Sequence, residues 1–550
     1  MYESRQLTRS YWERDTSKPV LDLSLGDLLR CVASEVPDRI ALVDGAGEPG
    51  TRRRWSYRSL MTTATTVASA LASHFLPGER IAIWIPNCIE WVFLQYGAAM
   101  AGLIIVPINP ALLADELRNV LQISQAVAIF FSPRFRSRDM AEVLYEIRAE
   151  LPDLRCEISL DRWDEFMSWG ESSAVLPNVM SDDVAQIQFT SGTTGTPKGA
   201  CLHHRGIVNA ARFVAQRAGV ADAGVWVNAM PLFHTGGSGV ATVGVLAQRG
   251  TLVLMPGFDA ARLLELIESE RGTVTLLVPT MVIALLEHAD RHHRDLSSLQ
   301  TILSGGAPVP EALAKRAGKD FGCRFSILYG QTELHGAITQ TTVDDARAGQ
   351  LATVGQPLPH MELKIADPIT GEPLPLDTPG EICARGYQVM TGYLQDAGER
   401  DKATLSVEGW LHTGDVGTMD RNGHVSITGR LKEMIIRGGE NIYPIEIERV
   451  LLAHPGIRQA CVIGLPDAKW GEIVAAVLQL VPEAFLGTPL DTAQQMQTYC
   501  HARLAAFKTP TVWYFVEDWP QTATGKIERR RLGTQLVSGV NRGFVVSGTR

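Results

Sequence analysis

Apolar residues in the first third of the chain recur at spacings that alternate between helical and strand-like. Leu25, Leu29 and Val32 follow helical spacing until Pro37 interrupts them, and residues 40–43 then form a short apolar run typical of a strand. The same alternation predicts helices at about 57–74, 90–100 and 115–121, and strands at 80–85, 103–108 and 126–131. Strands that alternate with helices predict layered α/β structure with parallel sheets.

The pattern changes twice further along the chain. Ala185, Ile187 and Phe189 alternate with Gln186 and Gln188, which predicts a strand with one buried face. Beyond residue 432 a small α+β unit is predicted, with helices near 447–451 and 490–507 and strands at 460–463 and 473–481. We therefore expect a large N-terminal domain of layered α/β subdomains over 1–431, a small C-terminal α+β domain over 432–537, and a loose tail over 538–550. Residues 132–180 are polar and irregular, and predict little.

Composition narrows the class of protein. A length of 550 residues suggests two or more domains. Because 60 acidic residues outnumber 51 basic ones, giving a net charge of -9, no basic field is available and a nucleic-acid partner is not expected. The eight cysteines form no CxxC pair and no zinc-type spacing, which is typical of reduced core thiols in a cytoplasmic protein.

One uncharged run, residues 91–114, is long enough to ask about a membrane. Pro107 and Pro110 would break a spanning helix, so a buried helix, a turn and a strand are the better prediction. The first residues lack the apolar stretch of a signal peptide. We expect no transmembrane segment, and peripheral membrane contact stays open.

Residues 189–199, FTSGTTGTPKG, are the most informative stretch of the chain. Glycines allow backbone N–H groups to approach an anion, the hydroxyls add donors, and Lys198 adds a positive charge. The spacing is not that of a Walker loop, because Lys198 lies between Pro197 and Gly199. The stretch predicts a loop that binds a polyphosphate, with a Gly/Ser/Thr-rich surface turn as the alternative.

Further short motifs follow in a fixed order. Tyr329 is a planar aromatic that can stack on a base, and Glu333 is a hard oxygen ligand suited to Mg²⁺. Asp415 could accept hydrogen bonds from ribose hydroxyls, and Arg430 could pair with it. The motifs in chain order are PLFHTGG (231–237), SGGAP (304–308), YGQTE (329–333), WLHTGD (410–415), GRLKE (429–433), RGGENIYP (437–444) and PQTATGKI (520–527).

This ordered series resembles the core motifs of the AMP-forming adenylating enzymes, which include acyl- and aryl-CoA synthetases, adenylation domains of peptide synthetases and beetle luciferases. The resemblance covers nearly the whole chain. It implies a large α/β N-terminal domain with a small β-barrel and a small, mobile C-terminal domain that swings about a hinge at Lys432. It also implies ATP, Mg²⁺ and coenzyme A as the small molecules used.

The resemblance assigns roles residue by residue. It implies that Lys526 holds the carboxylate and the α-phosphate together, that Glu333 holds the metal ion, and that Thr190 and His234 belong to the catalytic set. The acid is expected at His234, Thr235, Gly236, Gly237, Ser304 and Gly305. The nucleotide is expected at Thr190, Ser191, Gly192, Thr193, Thr194, Gly195, Lys198, Gly306, Ala307, Pro308, Tyr329, Gly330, Gln331, Thr332, Asp415, Arg430 and Lys526. The pantetheine of CoA is expected at Gly438 and Gly439.

The implied reaction joins a carboxylic acid to a thiol in two steps through an acyl-adenylate. The segment 437–444 resembles CoA ligases, while an enzyme that loads an acyl-carrier protein is the alternative. A catalytically inactive nucleotide-binding scaffold is disfavoured, because Lys526, Glu333 and Asp415 are all present. A luciferase-like oxygenase is not favoured by any residue, and a homodimer stays open. Segments 235–240, 278–281 and 303–307, which line the family's acyl pocket, contain no charged residue. This favours a neutral or apolar acid of fatty or aryl type over an amino acid.

Overall fold

The computed structural model describes residues 5–170, 175–190, 197–343, 350–394, 400–401, 405–438, 440–482, 487–520, 527–537 and 544–545. The first part of the chain contains β1 (Tyr11–Trp12), α1 (Leu25–Glu35), β2 (Ile40–Asp44), β3 (Arg54–Ser56), α2 (Tyr57–Ala72), β4 (Arg80–Trp84), α3 (Ile89–Met100), β5 (Ile104–Pro107), α4 (Ala114–Ser124), β6 (Ala128–Phe131), β7 (Arg134–Phe135), β8 (Arg138–Asp139), α5 (Met140–Ile147), β9 (Cys156–Ser159) and α6 (Trp163–Met167).

The middle of the chain continues the α/β alternation and ends in antiparallel strands. It contains β10 (Val184–Thr190), β11 (Lys198–His203), α7 (His204–Arg217), β12 (Val225–Asn228), a π-helix (Gly236–Ala241), α8 (Thr242–Ala247), β13 (Thr251–Leu254), α9 (Ala260–Ser269), β14 (Val274–Leu277), α10 (Pro279–Glu287), β15 (Thr301–Ser304), α11 (Glu311–Asp320), β16 (Arg324–Tyr329), β17 (Thr339–Gln340), β18 (Gln356–Pro357), β19 (Met361–Ala366), β20 (Gly380–Gly386), β21 (Tyr393–Leu394), β22 (Arg400–Asp401), β23 (Leu411–Met419) and β24 (Val425–Arg430).

The last part of the chain forms the smaller unit that was expected beyond residue 432. It contains β25 (Ile435–Arg437), β26 (Glu440–Ile442), α12 (Pro444–Leu452), β27 (Ile457–Asp467), β28 (Gly471–Leu480), α13 (Pro489–His501), β29 (Val512–Phe515), α14 (Arg529–Val537) and β30 (Phe544–Val545). A short 3₁₀-helix at Leu431–Glu433 joins β24 to β25. The division at residue 432 stays a prediction, although the last sheet uses only strands that follow this helix.

Four larger sheets organise these elements and confirm the mixed α/β fold. A nine-stranded sheet has the order β18-β17-β16-β15-β14-β12-β13-β2-β3, and an eight-stranded sheet has the order β22-β21-β11-β10-β5-β4-β6-β9. In each, the central strands run parallel. A five-stranded antiparallel sheet, β1-β19-β20-β23-β24, supplies the small β-structure of the N-terminal part, and β25–β30 form the sheet of the last part.

The uncharged run at 91–114 is a buried helix and strand, as the sequence predicts. Nearly every residue of α3 is inaccessible, because α3 packs between α1 and α2 beneath the eight-stranded sheet. Gly97 allows the closest approach, since a Cβ there would lie 2.3 Å from a methyl carbon of Val67. Within the part of the chain that is described, no helix combines the length and apolarity needed to cross a bilayer.

The expectation that β10 has a single buried face is wrong. Gln186 and Gln188 are 2% and 3% exposed, because β10 lies inside the sheet between β11 and β5 and both of its faces are covered. The two amides are hydrogen-bonded: Gln186 Nε2 donates to Gln188 Oε1 at 2.7 Å, and Gln188 Nε2 donates to the Phe233 carbonyl oxygen. Polar side chains on this strand therefore mark a buried hydrogen-bond network and not a solvent face.

Sequence reasoning also missed structure at 132–180 and extended one helix too far. Residues 134–167 contain α5, β9 and α6, of which β9 is the edge strand of the eight-stranded sheet. The helix expected over 490–507 ends at His501. In the expected loose tail, Phe544–Val545 pairs antiparallel with β29. The eight cysteines all lie in the described residues and none is in a disulfide, but Cys31 is exposed, so it is not a core thiol.

Candidate active site

The motif residues converge at the carboxyl ends of the parallel strands in the nine-stranded sheet. SGGAP begins at the last residue of β15, YGQTE begins at the last residue of β16, and PLFHTGG begins after two residues beyond the end of β12. Ligands of open α/β sheets bind at this edge. Glycine is required here for packing, since a Cβ on Gly305 would lie 2.5 Å from the Leu328 carbonyl oxygen. Gly306, Ala307 and Pro308 lie beyond it at the surface, so they form an accessible rim.

Asp415 is the polar centre of the expected ribose site. Its side chain is almost fully buried, and its Oδ2 accepts hydrogen bonds from Tyr329 Oη at 2.8 Å and Gln331 Nε2 at 2.7 Å. Arg430 Nε lies 2.8 Å from Oδ1. Burial, followed by the neighbouring Asp415 carboxylate, raises the pKa of Tyr329 well above its usual value, so the phenol stays a donor. The structure thus brings together four residues that the motifs predicted.

A second carboxylate fixes the turn that carries Asp415. Glu381 Oε1 accepts from the Gly414 N–H at 3.0 Å, and Glu381 Oε2 lies 2.7 Å from His412 Nδ1. Glu381, Cys383 and His412 also place ligand-type atoms within 4.8 Å of one another, a spacing that a metal ion could bridge. Burial raises the pKa of the Cys383 thiol to about 12, so without a metal ion it stays protonated. The contacts fit a hydrogen-bonded support for the turn at Gly414.

Glu333 lies beside the phosphate-loop strand. It is in the short 3₁₀-helix Thr332–Leu334, which packs against β11, and its Oε1 accepts from Tyr393 Oη at 2.5 Å. Burial and the adjacent carboxylate raise the pKa of Tyr393, so this phenol is a donor. Lys198 Nζ lies 5.1 Å from the centre of the same ring. Tyr393 therefore connects the expected metal carboxylate with the expected phosphate lysine.

The phosphate loop joins two antiparallel strands of the eight-stranded sheet. Thr190 is the last residue of β10 and pairs with Lys198, the first residue of β11. Ser191, Gly192, Thr193, Thr194 and Gly195 lie outside the described residues. The structure therefore places the two ends of the loop, near Glu333, and the roles of its five central residues stay predictions.

The expected acid segment forms a turn followed by a π-helix. Gly237 accepts no Cβ, because that atom would lie 2.2 Å from the Pro231 carbonyl oxygen. The Phe233 and His234 rings are 4.7 Å apart. Gly336 packs against this segment, since a Cβ there would lie 3.3 Å from Thr235 Oγ1. The acid segment and the YGQTE segment are thus neighbours, and π-helical turns are frequent at functional sites.

At the expected thiol path, the side chain of Trp470 packs against the turn at Gly438, a contact that the sequence did not predict. Gly438 has φ +60° in the turn between β25 and β26, and a Cβ there would lie 2.8 Å from the Trp470 ring. The turn interpretation therefore has direct support, and a leucine at this position would strain the backbone whether or not a tunnel exists. Lys432 lies at the surface in the 3₁₀-helix between β24 and β25, whereas Gly439 and Lys526 lie outside the described residues.

Several site residues were missed because no motif marks them. Tyr393, Glu381, Trp470 and Gln188 are each ordinary by type, and only their contacts connect them to the site. A polar residue inside an otherwise apolar strand, such as Gln188, was the one available signal. It indicates a buried network wherever both faces of the strand are covered.

Comparison with known proteins gives consistent matches along the chain. Residues 29–394 match the model of the AMP-binding enzyme family, and residues 446–526 match the model of the AMP-binding enzyme C-terminal domain. The putative acyl-CoA synthetase YngI of Bacillus subtilis (strain 168) is 34% identical over 94% of this chain and 98% of its own length. The mitochondrial medium-chain acyl-CoA ligase ACSF2 of Danio rerio is 34% identical over 96% of this chain and 90% of its own length.

Solved structures agree with the sequence matches. The ATP-bound MatB of Rhodopseudomonas palustris superposes with a TM-score of 0.83 at 28% identity, covering 93% of this chain and 99% of that one. The fatty acyl CoA synthetase of Mycobacterium tuberculosis superposes with a TM-score of 0.74 at 30% identity, covering 94% of this chain and 99% of that one.

Proposed function

The chain belongs to the family of AMP-binding enzymes and is an ATP-dependent acid–CoA ligase, and from this premise we propose that it activates a neutral, apolar carboxylic acid of the fatty or aryl type. A carboxylate oxygen attacks the α-phosphorus of ATP, and the bond to pyrophosphate breaks. The CoA sulfur then attacks the acyl carbon, and the bond to AMP breaks.

The uncharged lining of the acid segment is the observation that carries the proposal on substrate class. Residues 235–240, 278–281 and 303–307 contain no Asp, Glu, Lys or Arg. Gly236 contributes no bulk, and its nearest side chains are those of Met230 and Leu276. An amino-acid substrate would need a buried carboxylate to pair with its ammonium group. Relatives named medium-chain acyl-CoA ligase and fatty acyl CoA synthetase support the same substrate class.

Asp415 and its partners are proposed to hold the nucleoside. The buried carboxylate has one oxygen shared by Tyr329 and Gln331 and the other facing Arg430, so its position is fixed before the ribose arrives. A prearranged acceptor loses little conformational entropy on binding. The Tyr329 ring, held by its own hydroxyl, presents a flat apolar surface for the base beside Gly330 and Thr332.

The residues around Glu333 fit a magnesium ion. A carboxylate held by Tyr393, close to a strand end that carries Thr190 and Lys198, offers the oxygen donors and the phosphate contacts that Mg²⁺ uses in nucleotide sites. When bound, the ion would offset negative charge that gathers on the phosphates during attack. Glu333 is the residue proposed to hold it, and Thr190 is proposed to contact the nucleotide. Lys198 and the 191–195 loop are proposed to bind the leaving pyrophosphate.

Lys526 is proposed to serve adenylation alone, because a single mobile ammonium is suited to bridging two anions. We expect Lys526→Ala to lower adenylate formation by roughly 10² or more, as for the loss of one preorganised donor. Conversion of supplied acyl-AMP to the thioester should continue. Equal losses in both half-reactions would contradict this division of labour.

The main experiment is a panel of carboxylic acids, scored by pyrophosphate release with and without CoA. Pyrophosphate and AMP should appear only when MgATP and an accepted acid are both present, with fatty or aryl acids preferred. Formation of ADP, or a preference for amino acids, would overturn the proposal. Thioester formation on an acyl-carrier protein instead of CoA would favour the alternative acceptor. Cytoplasmic location and a homodimer stay predictions.

A further inference from the structure

The segment Met230–Ser238, which carries His234, is held by amide side chains from the other large sheet layer. The segment leaves β12 of the nine-stranded sheet and leads into α8. Its holders come from the eight-stranded sheet and the helix on it: Asn87 follows β4, Gln95 is in α3 and Gln188 is in β10. All three amides are buried, with 7%, 1% and 3% of their surface exposed.

Asn87 fixes the start of the segment with three hydrogen bonds. Its Nδ2 donates to the carbonyl oxygens of Met230 at 3.0 Å and Met255 at 3.1 Å. Its Oδ1 accepts from the Leu232 N–H at 2.8 Å. One side chain thus satisfies backbone groups on both sides of Pro231, which has no N–H of its own.

Gln188 fixes the residue before His234. Its Nε2 donates to the Phe233 carbonyl oxygen at 2.7 Å, and its Oε1 is oriented by Gln186. Gln188 is two residues before Thr190, where the phosphate loop begins. The same strand therefore sets the position of the acid segment and the position of the phosphate loop relative to each other.

Gln95 compensates for the irregular hydrogen bonding of the π-helix. The Thr242 N–H bonds to the carbonyl oxygens of Gly237 and Gly239. In an α-helix it would instead bond to the Ser238 carbonyl oxygen, which does not receive this hydrogen bond here. Gln95 Nε2 donates to this Ser238 oxygen at 2.9 Å. The amide thereby stabilises the wide turn that shapes the segment after His234.

We propose that Asn87, Gln188 and Gln95 are positioning residues for the acid half of the reaction, and that Gln188 and Gln95 set acid orientation and acyl-chain selectivity. The inference rests on the proposed function, in which His234 to Gly237 receive the acid. Neutral amides suit the task because they orient carbonyl groups and add no charge to an apolar pocket. Loss of a donor removes a hydrogen bond from a buried carbonyl, and the segment relaxes away from the position that fits the acid.

The test compares Gln188→Met and Gln95→Met, which keep side-chain volume and remove the donor. Gln356→Met is the matched control, because Gln356 is likewise buried, with 2% exposed, and donates to a backbone carbonyl, that of Asn422, away from the acid segment. We expect Gln188→Met to lower kcat/KM for the acid about tenfold, the effect of one buried donor, with the KM for MgATP changed less than about twofold. Gln95→Met should change the ratio of kcat/KM between a long and a short acid about fivefold. Gln356→Met should alter neither quantity.

The inference would be overturned if kcat/KM fell equally for the acid and for MgATP, or if stable variants showed unchanged acid kinetics. A second measurement is independent of turnover: amide hydrogen exchange should become faster over 231–239 in both variants and stay unchanged over 415–430. If the wild-type protein activates no acid in the panel, the proposed function fails, and exchange alone still decides whether the amides hold this segment. Unchanged exchange over 231–239 would contradict the positioning role.

Discussion

A buried carboxylate is stable only when several donors surround it, and Asp415 has three from side chains that lie elsewhere in the sequence. Tyr329 and Gln331 come from the end of β16, and Arg430 comes from the end of β24. At the scale of single residues, the site is therefore a set of side chains oriented by each other before any ligand binds. The same holds for Glu333, whose position depends on Tyr393.

Replacing Tyr393 by phenylalanine tests this dependence. Tyr393→Phe removes the hydroxyl that donates to Glu333 and keeps the ring beside Lys198. A less constrained carboxylate binds the metal ion more weakly, so we expect the Mg²⁺ concentration for half-maximal adenylation to rise roughly three- to tenfold, the worth of about one charge-assisted hydrogen bond. Acid KM at saturating Mg²⁺ should change little.

Titration of pyrophosphate release against Mg²⁺ measures this shift. Tyr514→Phe, a buried tyrosine in β29 of the last sheet, is the control. If the Tyr393→Phe protein has an unchanged Mg²⁺ requirement and a raised acid KM, Glu333 would be assigned to the acid pocket and not to the metal site.

At the scale of elements, the sequence predicts what depends on periodicity and short motifs. Helices α2 and α3 and strands β4 and β6 lie within a few residues of their expected bounds, because apolar spacing reflects the core directly. Burial of Gln188 could not be predicted, since the same alternation describes an amphipathic edge strand and a central strand with an internal amide network. The contact between Tyr393 and Glu333 was hidden because it depends on how two sheets meet.

The short 3₁₀-helix at Leu431–Glu433 is the element proposed as the hinge. Lys432→Pro would fix φ near -65° and remove an N–H at the point where the last sheet begins. We expect thioester formation to slow roughly tenfold or more while adenylation continues, because the proposed domain rotation would be needed only for the second step.

Separate assays of pyrophosphate release and of acyl-CoA formation from supplied acyl-AMP measure the two steps. Lys432→Ala, which removes the same side chain and leaves the backbone free, should retain both. Wild-type rates in both steps for the proline variant would place the pivot elsewhere.

At the scale of the whole molecule, three buried histidines join separate parts of the chain. His335 Nδ1 bonds to the Gln388 carbonyl oxygen, and its Nε2 accepts from the His203 N–H. His204 Nδ1 accepts from the Leu25 N–H at 3.3 Å, which attaches α1 to α7. Burial lowers the pKa of all three, that of His204 to about 4. His335 Nε2 and His204 Nδ1 accept these hydrogen bonds only while their rings are neutral, and His335 Nδ1 donates to the Gln388 carbonyl.

Stability should therefore fall as the solution becomes acidic. Because the pKa of His204 is about 4 in the folded state and 6.5 without burial, the unfolded chain binds the proton first. This residue alone should lower the free energy of unfolding by about 1.4 kcal/mol per pH unit between the two values, with no effect above them. His203 and His335 change stability in the same direction.

Denaturant unfolding at pH 7.5 and at acidic pH measures this dependence. His204→Asn keeps an acceptor for Leu25 and cannot titrate. The slope of its unfolding free energy against pH, below neutral pH, should therefore correspond to the uptake of about one proton fewer on unfolding. The variant His501→Asn, altered at an exposed residue at the end of α13, should keep the wild-type slope. Identical slopes in all three proteins would show that protonation of His204 does not oppose folding.

The tryptophan beside Gly438 gives this protein an internal optical probe. Trp470 is 41% exposed and lies between the cations of Arg437 and Lys469, whereas large tryptophans such as Trp84, Trp91 and Trp226 are fully buried. Positive neighbours attract iodide, so collisional quenching of the emission will act preferentially on Trp470. A thiol substrate that binds beside Gly438 would shield Trp470 from iodide. The decrease in quenching would then report binding at this turn in real time, with no label attached.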